Sequence, residues 1–67
     1  RVTDIIQARD GTIWVSSNGY GVYRSSLNGE GNYSFKAYTT KDGLASNTVR
    51  GLEEDNEGIG QDLIPIY

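Results

Sequence analysis

The sequence has no cysteine and no histidine. Disulfide staples are therefore excluded, and so is a zinc site built on those two ligand types. The commonest general base and the thiol nucleophile are missing too. No apolar run approaches the ~20 residues of a membrane-crossing helix. No charged-then-apolar leader opens the chain, which starts at Arg1 and reads as a piece of something longer. Basic residues are in the minority, six Lys and Arg against nine acids, and they are scattered. Nucleic-acid binding is not expected without a basic patch. Sustained helical periodicity is absent, so almost no α-helix is expected.

Glycine, by contrast, is frequent at 9 of 67 residues, a composition that suits short strands and tight turns. Val2 to Ala8 alternates as a strand with apolar side chains on both faces, since Ile5 and Ile6 point opposite ways. Arg9-Asp10-Gly11 is a hairpin signal. Thr12 to Ser16, with Ile13, Trp14 and Val15, is rich in β-branched and aromatic residues and is expected to be a strand. Ser17 to Gly21 is the next turn, and Val22-Tyr23-Arg24 a third strand. A polar loop at Asn28 to Asn32 leads to a fourth strand over Tyr33 to Tyr38. Thr39 to Asn47 is a connector, and Thr48 to Glu54 is expected to be a fifth strand ending in the turn Asp55-Asn56-Glu57-Gly58.

The chain repeats itself. Val2-Thr3-Asp4-Ile5 through Asp10-Gly11 aligns without gaps on Val49-Arg50-Gly51-Leu52 through Glu57-Gly58, 47 positions later. Periods of about 40–50 residues belong to propeller blades, each a four-stranded antiparallel meander. The expected fold is therefore all-β: one four-stranded antiparallel propeller blade plus the first strand of a following blade. The expected organisation is a blade over 1–38, an inter-blade connector over 39–47, the start of the next blade over 48–58 and a diverged tail over 59–67. The segment 48–54 is expected to be extended but poorly integrated with the first sheet.

The ordered motifs resemble the two-component-regulator propeller repeat. Asp42-Gly43-Leu44-Ala45-Ser46-Asn47-Thr48-Val49-Arg50 is similar to its opening, and Asp10-Gly11-Thr12-Ile13-Trp14-Val15 to its acidic turn and aliphatic-Trp strand. Asn18-Gly19-Tyr20-Gly21-Val22-Tyr23-Arg24 is similar to the Gly-rich turn that follows, and Phe35-Lys36-Ala37-Tyr38 to the strand leading into the next Asp-Gly-Leu. The likeness covers roughly residues 2 to 58. It breaks after Gly58, where Gln61 takes the place of Trp14 and Pro65 suits an edge or a terminus. The tail from Ile59 to Tyr67 reads as a truncation, a scar or a diverged end. The resemblance implies the periplasmic sensor region of a bacterial hybrid histidine kinase, with oligosaccharide as one class of ligand in the intact parent.

No residue stands out as catalytic, cofactor-binding or metal-ligating, and no cofactor is implied. Trp14 has the flat face that stacks on a sugar, but mid-strand placement favours a seam between blades. Asp55-Asn56-Glu57-Gly58 lacks the bidentate Glu of a calcium loop, because Ile64 stands six residues after the Gly. Gly19 to Gly21 lacks the Lys and helix of a phosphate loop. Asn32-Tyr33-Ser34 has the form of a glycosylation acceptor. Glu53 and Glu54 are adjacent on a strand, point to opposite faces and cannot flank one bond. We expect no enzyme activity and no direct membrane contact.

Two further readings stay open: a structural repeat of an unrelated propeller protein or enzyme, and a truncated reading frame without a native role. Partners are expected to be neighbouring blades or further copies of the chain. One sheet cannot hide Ile5 and Ile6, or Ile13 and Trp14, on its two faces by itself. Each such side chain left wet forfeits about 1.5–3 kcal/mol. With no disulfide to compensate, the isolated chain is expected to be unfolded, or to fold only by self-association.

Overall fold

The computed structural model describes residues 1–56, 58–61 and 64–65, the last two and Gln61 by their backbone alone. Four strands form the first sheet: β1 (Val2–Gln7), β2 (Ile13–Ser17), β3 (Val22–Leu27) and β4 (Tyr33–Tyr38). They pair antiparallel in the order β1-β2-β3-β4, the expected meander. The turns close as their residues dictate. Asp10 accepts the Thr12 N–H at 2.9 Å, and Ala8 and Thr12 close the hairpin through N–H to C=O at 2.8 Å. Asn28 Oδ1 gathers the N–H groups of Glu30 and Asn32 at 2.8 and 3.0 Å in the next hairpin.

The connector carries one short 3₁₀ turn, Thr40–Asp42, with a reciprocal capping box between Thr39 and Asp42. Among the described residues there is no α-helix. A second antiparallel sheet follows, made of β5 (Glu53–Asp55), β6 (Gly58–Gln61) and β7 (Ile64–Pro65) in that order. The expected opening strand of a second blade is thus present, and two strands follow it. Pro65 lies in the edge strand β7, where a missing donor costs least. Glu57, expected in the turn before β6, lies outside the described residues, as does the side chain of Gln61.

Two expectations about residues 48–54 need correction. The strand starts only at Glu53, because the backbone of 47–52 is spent on the first sheet. The Asn47 carbonyl accepts from Gly19 and Gly21, Thr48 bridges Asn18, and the Val49 N–H donates to Ser17 O at 2.8 Å. The segment is also well integrated, since Val49 is fully buried and Leu52 nearly so. No ladder joins it to β1, however, and the two sheets remain separate.

Strand register assigns the two faces of the first sheet. Ile6, Trp14 and Arg24 stand in one cross-strand row, and Asp4, Ser16, Val22 and Tyr38 in the next, all on one face. On this face sits the core: Ala8, Trp14 and Val22 from the first sheet against Val49, Leu52 and Ile59, with Ile6 and Leu44 packed at its margin. The opposite face carries the row Ile5, Val15, Tyr23, Ala37, with Ile13, Phe35, Leu27 and Tyr33 beyond it. The chain therefore covers one of the two apolar faces with its own second sheet.

Candidate functional site

The most organised part of the molecule is the seam between the two sheets. Trp14 occupies its centre with 2% of its surface exposed. The indole stacks on Tyr38 at 6.4 Å between centroids and 27° between planes, and the Arg24 guanidinium lies 5.7 Å from the ring. A fully flanked indole in this position has no face to offer a sugar. Its role is to fill the seam, and the cation adds an electrostatic contact to the ring quadrupole.

Around the indole the seam is stitched by polar groups of β1. Thr3 Oγ1 donates to the Val49 carbonyl and lies 2.8 Å from Ser16 Oγ. A hydroxyl has one proton to give, so Ser16, itself fully buried, donates to Thr3. Asp4 uses one carboxylate oxygen on the Ile5 N–H at 2.9 Å and the other on the Leu52 N–H at 3.1 Å. Glu54 accepts the Arg9 N–H at 2.9 Å and pairs with its Nε at 3.3 Å, and the same guanidinium reaches the Asp55 carbonyl. Three groups of β1 and its turn thus grip three successive sites 45–48 residues later.

Sequence reasoning missed this stitching. Asp4 carried the available signal: it is the one charged residue on the alternating face Val2, Asp4, Ile6, Ala8. Glu53 and Glu54 do diverge as expected, Glu54 turning inward to Arg9 and Glu53 outward to solvent. The Gly19–Gly21 segment is a turn whose N–H groups are taken by Asn47. In the acidic turn, Asp55 Oδ1 accepts from the Gly58 N–H at 3.1 Å, a local closure. Among the described residues no three carboxylates converge as a metal site. Asn32 lies in the exposed loop before β4.

A shallow groove of about 460 Å³ opens on the far face, where Gln7, Asp10, Arg24, Ser25 and Tyr33 meet. Hydrogen bonds from Thr12, to which Arg24 adds a smaller charge effect, hold the Asp10 carboxyl below the ordinary value of 3.8. The groove is polar and open, and we assign it no ligand.

Meander, seam and a repeated acidic-Gly turn define the class: a propeller-type blade with the next one begun. Residues 1–19 match the family model described as two component regulator propeller. The chain thus carries the repeat that its motifs resemble, and the matched stretch contains Thr3, Asp4, Trp14 and Ser16 of the seam. Comparison with curated proteins and with solved structures gave no match.

Proposed function

We propose that the chain is part of the β-propeller sensor domain of a two-component signal transduction protein, a hybrid histidine kinase whose propeller lies in the periplasm. One observation carries this reading: the family match falls on the residues that build the blade seam. The chain's role is architectural, supplying blade surface rather than chemistry, and it carries no enzyme activity. Ligand, with oligosaccharide as the leading class, is bound by the assembled parent. Neighbouring blades, or further copies of the chain, are its partners, without direct contact to membrane or nucleic acid. The nearest rival is a structural repeat in an unrelated propeller protein or enzyme. The coding sequence on either side of the fragment tests the choice. A membrane span followed by a kinase module is the expected result. An adjoining catalytic domain without either would overturn the proposal.

A further inference from the structure

The uncovered face of the first sheet is apolar across all four strands. Ile5, Leu27, Tyr33 and Phe35 keep more than half of their surface exposed, and Ile13, Val15 and Tyr23 are only half-buried between them. No charged side chain belongs to the rows Ile5-Val15-Tyr23-Ala37, Gln7-Ile13, Ser25-Phe35 or Leu27-Tyr33. Lys36 and Arg24 stand in register on the other face. Strands about 4.8 Å apart, rising about 3.4 Å per residue, make such a face roughly 300–400 Å² in projection. An apolar patch this extensive is characteristic of a contact surface.

We infer that this face is the interface of a homodimer, in which a second copy of the chain packs the same face against it about a two-fold axis. Two features of the molecule select this occupant. The first is charge: a face with no ionised group meets itself without repulsion or charge burial. The second is the shape of the alternative. Copies could instead stack head to tail, as the second sheet stacks on the first within the chain. The surface then offered to Ile5 and Val15 would be the outer side of the second sheet. Register puts Glu53 opposite Gly60 and Asp55 opposite Gly58 on that side, with Ile59 and Glu54 turned inward. Two exposed carboxylates and two glycines give no apolar complement, and burying the acids costs more than the contact returns. The self-complementary, isologous arrangement is also the commonest closed symmetry. Two sheets packed this way lie about 10 Å apart with strands about 30° from parallel. The interface falls at the small end of specific contacts, so the dimer dissociates at accessible concentrations. The inference rests on the sheet faces and is independent of the signalling role.

The absence of cysteine makes the test clean. Sedimentation equilibrium on the 67-residue chain should give twice the 7.3 kDa monomer mass, falling toward one on dilution. Tyr23→Cys, at the centre of the face, should cross-link to itself with a short bis-maleimide, whereas Glu53→Cys should not. Phe35→Lys should shift the mass to monomer, and Tyr20→Lys, in the exposed turn at the sheet end, should leave the dimer intact. A monomer at high micromolar concentration, folded or not, would overturn the inference. So would cross-linking that appears only when the Tyr23→Cys and Glu53→Cys chains are mixed, which is the mark of head-to-tail stacking. Because the exposed-face cysteine reports contact directly, loss of folding in the lysine variant leaves the decision intact.

Discussion

Gly21 shows how sharply one position can be constrained. Its φ is +84°, and a Cβ there would run into the Tyr38 carbonyl oxygen and crowd the Thr39 methyl. Gly21→Ala should therefore cost more than the about 1–3 kcal/mol of left-handed strain alone. Gly11, with φ +92°, faces open space, and Gly11→Ala should cost only the strain. Urea midpoints of the two variants separate these cases: Gly21→Ala should lie far below Gly11→Ala. At Asp4 the constraint is polar. Asp4→Ala strands the Leu52 N–H in a part-buried seam, at about 1–3 kcal/mol. Its unfolding midpoint should fall while that of Glu53→Ala, exposed and outward, barely moves.

Asp10 adds a pH dependence of known sign. Its carboxyl titrates lower in the folded chain than in the unfolded one, because the Thr12 N–H and hydroxyl bind the ionised form. The turn bond is fully present above pH 3.8 and is lost as pH falls through the lower folded value. Asp10→Asn should flatten that acid limb of stability, as followed by circular dichroism across pH 2 to 5.

At the scale of elements, the sequence was a good guide wherever local chemistry decides. Alternation placed β1 to β4, and Asp-Gly and Asn-Gly punctuated them, because turn residues and period-two patterns act over a few positions. It was a poor guide to residues 48–52. Thr48-Val49 has the composition of a strand, yet its backbone groups pair with the 17–21 turn before β5 can begin. Such competition depends on a partner 30 positions away, which propensity does not contain. The diverged tail is a similar case. Ile59 enters the core although its repeat mate, Thr12, has no apolar side chain to suggest it. Seam and face were legible in outline from Ile13 and Trp14 pointing apart. The Asp4, Thr3 and Glu54 bonds were not, since each is fixed by where the second repeat docks. The 47-residue shift does persist in three dimensions: Gly11 and Gly58 both take positive φ after their turns.

For the whole molecule, the second sheet alters the stability argument made from sequence. Val49, Leu52 and Ile59 remove one apolar face of the first sheet from water, so a single chain hides half of what it must. Truncation after Asn47 should expose Trp14 and abolish the near-ultraviolet signal of a fixed indole.

The stitching of β1 to residues 49–55 bears on how the molecule opens. Hairpins β1-β2, β2-β3 and β3-β4 close loops of a few residues, while the seam closes one of more than forty. Closing the longer loop costs more chain entropy and brings no return until the hairpins exist. The seam should therefore form after the rate-limiting step, and be the first part to part in reverse. Val49→Ala and Asp4→Ala should raise the unfolding rate and leave the refolding rate nearly unchanged, whereas Gly21→Ala, inside the early meander, should slow refolding. A seam of that kind behaves as a latch: the first sheet can let go of its neighbour, and take it back, without coming apart itself.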